Sequence, residues 1–125
     1  MGINSPEHFM AIMGTVMNNC IFSELYRTNS ASACLEQLEY SKSNLIVCDT
    51  WQTLQDKFLV NQHKLKALGI TTAVLFSEFG ELPKRPLVLE DGDEVECSLK
   101  VFTWTQFLKL GEEVNDRMIV RRMLK

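Results

Sequence analysis

The sequence predicts an α/β fold: a mainly parallel sheet of about four strands with helices on both faces. Three observations carry that expectation. Short apolar runs recur at 21–26, 45–48, 70–76 and 99–103. Segments whose apolar residues recur at helical spacing alternate with them. Leu45-Ile46-Val47-Cys48 is apolar without interruption, as a strand covered on both faces requires.

The first helix opens at Asn4-Ser5-Pro6-Glu7. Ser5 is placed to accept from an orphan N–H, Pro6 fits the first helical position, and Glu7 suits the positive end of the helix dipole. Phe9, Ile12, Met13, Val16 and Met17 follow on one stripe, read as the core-facing side. Asn18-Asn19 ends the helix, since Asn tolerates the left-handed conformation. Residues 21–26 read as a strand, and Thr28-Asn29-Ser30 supplies cap residues for a second helix that buries Ala31, Cys34, Leu35 and Leu38. After strand 45–48, Asp49-Thr50 is a turn and cap, and Trp51, Leu54, Phe58 and Leu59 form the next stripe. Gly69 stops that helical region after Leu65 and Leu68. Residues 70–76 are rich in β-branched side chains and read as a strand. Residues 77–96 hold Gly80, Pro83, Pro86, Gly92 and many charges, and read as an acidic surface loop with room for a short strand at Leu87-Val88-Leu89. A strand at 99–103, a short helix at 104–110 closed by Gly111, and a last helix opening near Val114 complete the chain. In this architecture a strand is also expected ahead of the opening helix.

The 125 residues suffice for one α/β unit, residues 1–125. Hydrophobic residues make up 46% and charged residues 23%, ordinary values for a chain that buries a core, so global disorder is excluded. A formal net charge of −3 gives no footprint for nucleic acid. No apolar run reaches the length of a membrane span, and the first residues have no basic region of a signal peptide. Composition therefore points to a cytoplasmic protein and leaves attachment to a membrane surface open.

No motif assembles a catalytic, cofactor or metal site. The glycines are scattered, with neither G-x-G-x-x-G nor G-x-x-x-x-G-K-[ST]. Cys20, Cys34, Cys48 and Cys97 contain no C-x-x-C pair and read as reduced cysteines, some in the core. His8 and His63 have no oriented partner in any signature, and read as packing or solvated side chains. Glu90-Asp91-Gly92-Asp93-Glu94-Val95-Glu96 lacks the ligand spacing of a calcium loop. Glu112-Glu113 are adjacent and do not face one another on a helix. Arg117, Arg121, Arg122 and Lys125 make the end basic, which suits a helix C-terminus and also a phosphate or an anionic lipid.

Several segments, in order, resemble AMP-forming acyl-CoA synthetases of the adenylate-forming superfamily. Ile3-Asn4-Ser5-Pro6-Glu7-His8-Phe9 resembles that family's N-S-P-E-W-F helix start. Gly14-Thr15-Val16 and residues 21–30, ending Tyr26-Arg27-Thr28-Asn29-Ser30, resemble G-I-Y-T-T-N-S. Ala33-Cys34 and Asn44-Leu45-Ile46-Val47-Cys48-Asp49 are similar to the following helix and the A-N-V-V-V-V-D strand. Residues 52–57 resemble the K-Q-L-x-K helix, and residues 101–111 the segment V-Y-T-W-E-E-F-L-E-L-G. The pattern is most similar to the long-chain, bubblegum-type subgroup. His8 replaces the family's usual Trp, Asn18-Asn19-Cys20 a small A-G-G turn, and Ala31 a frequent Pro.

The resemblance implies part of the N-terminal domain of a long-chain fatty-acid–CoA ligase. Such enzymes join the acid to AMP from ATP with Mg²⁺, then form the coenzyme A thioester. The phosphate loop Y-T-S-G-T-T-G-x-P-K-G and the C-terminal domain of the family are not among these residues. The chain is thus expected to be inactive alone, with no catalytic, cofactor-binding or metal residue assigned. Its implied partners are the remainder of a synthetase or a full-length homologue, with long-chain fatty acid bound weakly if at all. The alternative is a non-catalytic interaction or acyl-binding module derived from such an enzyme.

Overall fold

The computed structural model describes residues 1–82, 87–88, 94–114 and 116–124. Helix α1 (Pro6–Met17) and helix α2 (Ala31–Ser41) precede strand β1 (Leu45–Cys48). Helix α3 (Trp51–Lys57), a 3₁₀ turn (Leu59–Asn61) and helix α4 (Gln62–Ala67) lead to β2 (Thr72–Leu75). Two short strands, β3 (Leu87–Val88) and β4 (Glu94–Val95), precede β5 (Lys100–Thr103), α5 (Trp104–Lys109) and α6 (Asp116–Met123). The expected acidic loop at 77–96 lies in part outside the described residues, including Gly92 and most of its acidic run. Of the expected strand at 87–89, the first two residues pair antiparallel with β4.

The predicted parallel α/β arrangement is present, with the sheet order β1-β2-β5 and both pairings parallel. Leu45 pairs with Thr72 and Cys48 with Leu75 on one side of β2, and Thr72 with Lys100 and Leu75 with Thr103 on the other. This sheet has three strands, because residues 21–26 form none. Their apolar content was the signal for a strand, but Ile21 is 96% exposed and Tyr26 is also exposed. The segment runs past the outer edge of β1 without main-chain pairing.

Two packing clusters follow from the alternation of side chains along the strands. Ile46, Cys48, Ala73 and Leu75 pack with Cys34 and Leu38 of α2, Trp51 and Leu54 of α3, Phe58, Leu59 and Leu65. Val74, Phe76 and Trp104 form the second cluster, joined by Ala11, Val47, Phe102 and Phe107. Phe58, Phe76, Leu54, Leu59 and Leu65 are almost wholly enclosed. Each such side chain contributes about 1.5–3 kcal/mol relative to exposure.

Helix ends obey the capping chemistry read from the sequence. Ser5 accepts from the His8 amide, Ser30 from Ala33 and Thr50 from Thr53. Asn19 adopts φ 58 just past α1, and Gly69 adopts φ 80 after α4. A further cap escaped the sequence reading: Thr103 and Gln106 form a reciprocal capping box at α5. The last helix starts at Asp116, so Glu112 and Glu113 lie exposed in the turn before it rather than in its first turn.

The largest departure is the orientation of α1. Phe9, Met13, Val16 and Met17, expected to face the core, are exposed, while His8 is the buried residue of the helix. His8, Ala11 and Thr15 make the inward side, and helical spacing then sends the richer stripe outward. The reason lies in a contact across the fold. Phe76 offers His8 a flat aromatic surface, with ring centroids 5.2 Å apart and planes within 5°. Gly2 packs beside Phe76 and Asp49 at the same point.

Gly2 therefore supplies a sharp test. Its φ of +153 is rarely adopted by residues with a side chain, and an added Cβ would lie 2.8 Å from Asp49 Cβ and closer still to Phe76 Cζ. Gly2→Ala is expected to destabilise the chain by about 1–3 kcal/mol, measured by urea unfolding.

Candidate functional site

The carboxyl ends of parallel strands are where α/β sheets usually hold ligands. Here Asp49 follows β1, Glu78 lies just beyond β2, and Thr103 ends β5. Asp49 is only 3% exposed. Its Oδ1 accepts from the Thr50 amide at 2.8 Å, and its Oδ2 lies 3.9 Å from Arg27 Nη2. Arg27 is half-exposed, so this ion pair is screened and adds little. Glu78 Oε1 accepts from the Trp51 amide at 3.2 Å. The main chain is joined across the same edge: the Ser77 amide donates to Asp49 O, and the Trp104 amide to Glu78 O, both at 2.8 Å. Thr103 Oγ1 donates to Gly80 O at 2.6 Å. These groups hold the edge together, and both acids already accept from main-chain amides. Among the described residues no group of three His, Cys, Asp or Glu is placed to hold a metal ion. The residues at this edge thus do not fit a Mg²⁺ site, and no chemical step is assigned to one.

A different feature has the form of a binding site. A cavity of about 460 Å³ lies between α1, residues 20–25, the outer edge of β1 and α5. That volume falls within the range of small-molecule pockets, roughly 300–1,000 Å³. Met10, Ile21, Phe22, Leu45, Trp104 and Phe107 supply its apolar wall. Asn18, Ser43 and Asn44 are among its uncharged polar groups. None of its lining residues is Asp, Glu, His, Lys or Arg. Such a cavity suits an apolar chain and has no acid–base pair for catalysis.

The edge of β1 beside the cavity is partly closed by the chain's own start. The Met1 ammonium donates to Val47 O at 2.8 Å, and the Met1 side chain is buried. Burial lowers the ammonium pKa below its ordinary value, against the opposing pull of Cys48 and Asp49.

The sequence-singled residues are dispersed. His8 and His63 do not meet: His8 is buried against Phe76, whereas His63 is exposed on α4. His8 Nε2 is enclosed without a hydrogen-bond partner among the described residues. Cys20 is exposed at the cavity, Cys34 and Cys48 are buried, and Cys97 is half-buried; all four are free thiols. Burial raises the pKa of Cys34, Cys48 and Cys97, which makes them poor nucleophiles. Arg117, Arg121 and Arg122 lie exposed on α6, away from the cavity lining, and Lys125 is outside the described residues. Sequence reasoning missed the cavity because 21–26 read as a strand. The unbroken pair Ile21-Phe22 beside Asn18-Asn19 was the available signal.

Three outcomes follow. Iodoacetamide on the folded chain is expected to label Cys20 quickly and Cys34 and Cys48 only after unfolding, as read by peptide mass spectrometry. The buried thiols contribute stability that is present below their unfolded value of about 9.0 and is lost as pH rises past it. The urea midpoint is therefore expected to fall above that pH. His8→Phe keeps the aromatic stack and removes the unpartnered nitrogen, so it is expected to raise stability by about 1 kcal/mol in the same unfolding assay.

No family model and no solved structure matches the chain. Curated relatives do. The long-chain-fatty-acid–CoA ligase ACSBG2 of Gallus gallus is 28% identical over 120 residues, 95% of this chain and 14% of that protein. ACSBG2 of Xenopus laevis is 26% identical over the same shares. ACSBG1 of Rattus norvegicus is 28% identical over 121 residues, again 95% of this chain and 14% of the relative. The chain thus spans about one seventh of the length of the relatives it matches. Along nearly all of its own length, it is similar to one segment of the bubblegum-type long-chain-fatty-acid–CoA ligases.

Proposed function

We propose that these residues are a structural segment of the N-terminal domain of a long-chain fatty-acid–CoA ligase, without ligase activity alone. The observation that carries this reading is the continuous similarity over 95% of the chain set against 14% of the relative. The cavity supports it, since its lining has no charged side chain for adenylation chemistry. ATP, Mg²⁺ and coenzyme A are then held by the assembled enzyme, through residues other than those numbered here. The remainder of a synthetase, or a full-length homologue, is the partner. The outer edge of β1 supports this, because the Leu45 main chain on that side has no strand beside it among the described residues. A fourth strand and a sheet covered by helices on both faces belong to that assembly, in the cytoplasm.

A second reading rests on the cavity itself. As an acyl-binding module, the chain would hold a long-chain fatty acid weakly between α1, residues 20–25 and β1.

The decisive measurement is ATP–pyrophosphate exchange with a long-chain fatty acid and Mg²⁺. The purified chain is expected to give no fatty-acid-dependent exchange, and clear exchange would overturn the proposal. A folded chimaera in which this chain replaces the matching segment of the Gallus gallus ligase is expected to retain exchange. Loss of exchange in that chimaera would count against the segment reading. Saturable quenching of Trp104 fluorescence by fatty acid in the chain alone would favour the acyl-binding module.

A further inference from the structure

We propose that α6, together with the outward stripe of α1, is a docking face for an anionic lipid surface. The ligase reading is not needed for this inference.

The first observation is the inverted orientation of α1. Phe9 is 64% exposed and Val16 57%, and Met10, Met13 and Met17 are exposed beside them. One helix thus presents a contiguous apolar side to solvent, well beyond scattered surface residues. Helix α6 contacts α1.

The second observation is the pattern of α6. Ile119, Val120 and Met123 share one side of the helix at spacings of one, three and four residues. Helical geometry puts Arg121 and Arg122 on opposite flanks of that strip. Ile119 is half-buried, while Val120, Met123 and the following Leu124 are exposed. Among the described residues neither arginine is paired with a carboxylate. Of the nearby acids, Glu112 and Glu113 stand in the preceding turn, while Asp116, in the first turn, lies on the strip's own side and confines it to the second half of the helix.

An apolar strip with arginines on both flanks matches the interface of an anionic bilayer. The strip enters the acyl boundary and the guanidinium groups meet phosphate or carboxylate headgroups. The charge argues against a second copy of the chain as occupant: a two-fold contact through α6 would set arginines opposite arginines. It also argues for a local effect, since the whole chain carries a formal charge of −3.

The test is co-sedimentation of the full chain with phosphatidylcholine vesicles and with phosphatidylcholine–phosphatidylserine vesicles. Binding is expected only to the anionic vesicles, falling as salt rises. Arg121→Gln with Arg122→Gln is expected to weaken partition roughly twenty-five-fold, at about fivefold per arginine. Phe9→Ser with Val16→Ser, both exposed and checked for folding by circular dichroism, is expected to weaken it as well. Equal binding to neutral vesicles, no binding by the folded wild type, or full binding by the arginine variant would each overturn the proposal. So would capture of soluble polyglutamate without vesicle binding, which would assign the face to an acidic protein, or self-association that ignores the arginine change.

Discussion

Everything in this molecule is arranged around one strand that has no exposed side. In β2 and its continuation, Ala73, Val74, Leu75 and Phe76 are all enclosed. A strand with parallel neighbours on both edges uses its main chain in the sheet, so only its two faces remain to be covered. Ala73 and Leu75 draw α2, α3 and α4 to one cluster, and Val74 and Phe76 draw α1 and α5 to the other. Phe76 then dictates which side of α1 turns inward, and Gly2 and Asp49 close over the same point. The sheet edge, the opening helix and the chain start are therefore one packing problem with one solution.

That solution separates rigidity from opportunity. The carboxyl edge of the sheet, the usual place for ligands in such folds, is occupied by bonds among Asp49, Ser77, Glu78, Gly80, Thr103 and Trp104. The open surfaces are elsewhere: beside β1, over the outward stripe of α1, and along α6. A catalytic centre needs groups held in register with free valence for a substrate. Here the well-held polar groups are engaged with one another, and the exposed stripe of α1 is apolar.

Much of the fold was legible in the sequence for physical reasons. Leu45-Ile46-Val47-Cys48 forms the expected strand, with Ile46 and Cys48 enclosed and Leu45 exposed at the sheet edge, and Ser5, Ser30, Thr50 and Gly69 act through local effects that depend on a few neighbouring residues. The parallel α/β class follows from such local signals. Two readings failed where the deciding contact is distant in sequence. The stripe of α1 was assigned inward on hydrophobicity, but His8 meets Phe76 across the fold and reverses it. The run at 21–26 had strand composition, but its main chain makes no ladder with the open edge of β1 that it borders. The cavity's walls come from four separate elements, so the pair Ile21-Phe22 beside Asn18-Asn19 hinted at it without locating it. The lack of an assigned catalytic residue was a reading of motifs, and it concerns these residues rather than the whole relatives.

The Met1 ammonium on Val47 has a consequence of a kinetic kind. An amine whose pKa is lowered by burial carries a larger neutral fraction near physiological pH, and a neutral amine is the form that acylating reagents attack. Yet its lone pair becomes reachable only when the bond to Val47 breaks and the start of the chain leaves β1. The rate of N-terminal acylation, compared with that of a short unfolded peptide, therefore times the opening of one strand edge. Local free energies of this sort are distributed unevenly over a structure, and most can be reached only by isotope exchange. Followed at Met1 by peptide mapping, since the lysines are acylated as well, the reaction reports on the boundary where the sheet ends.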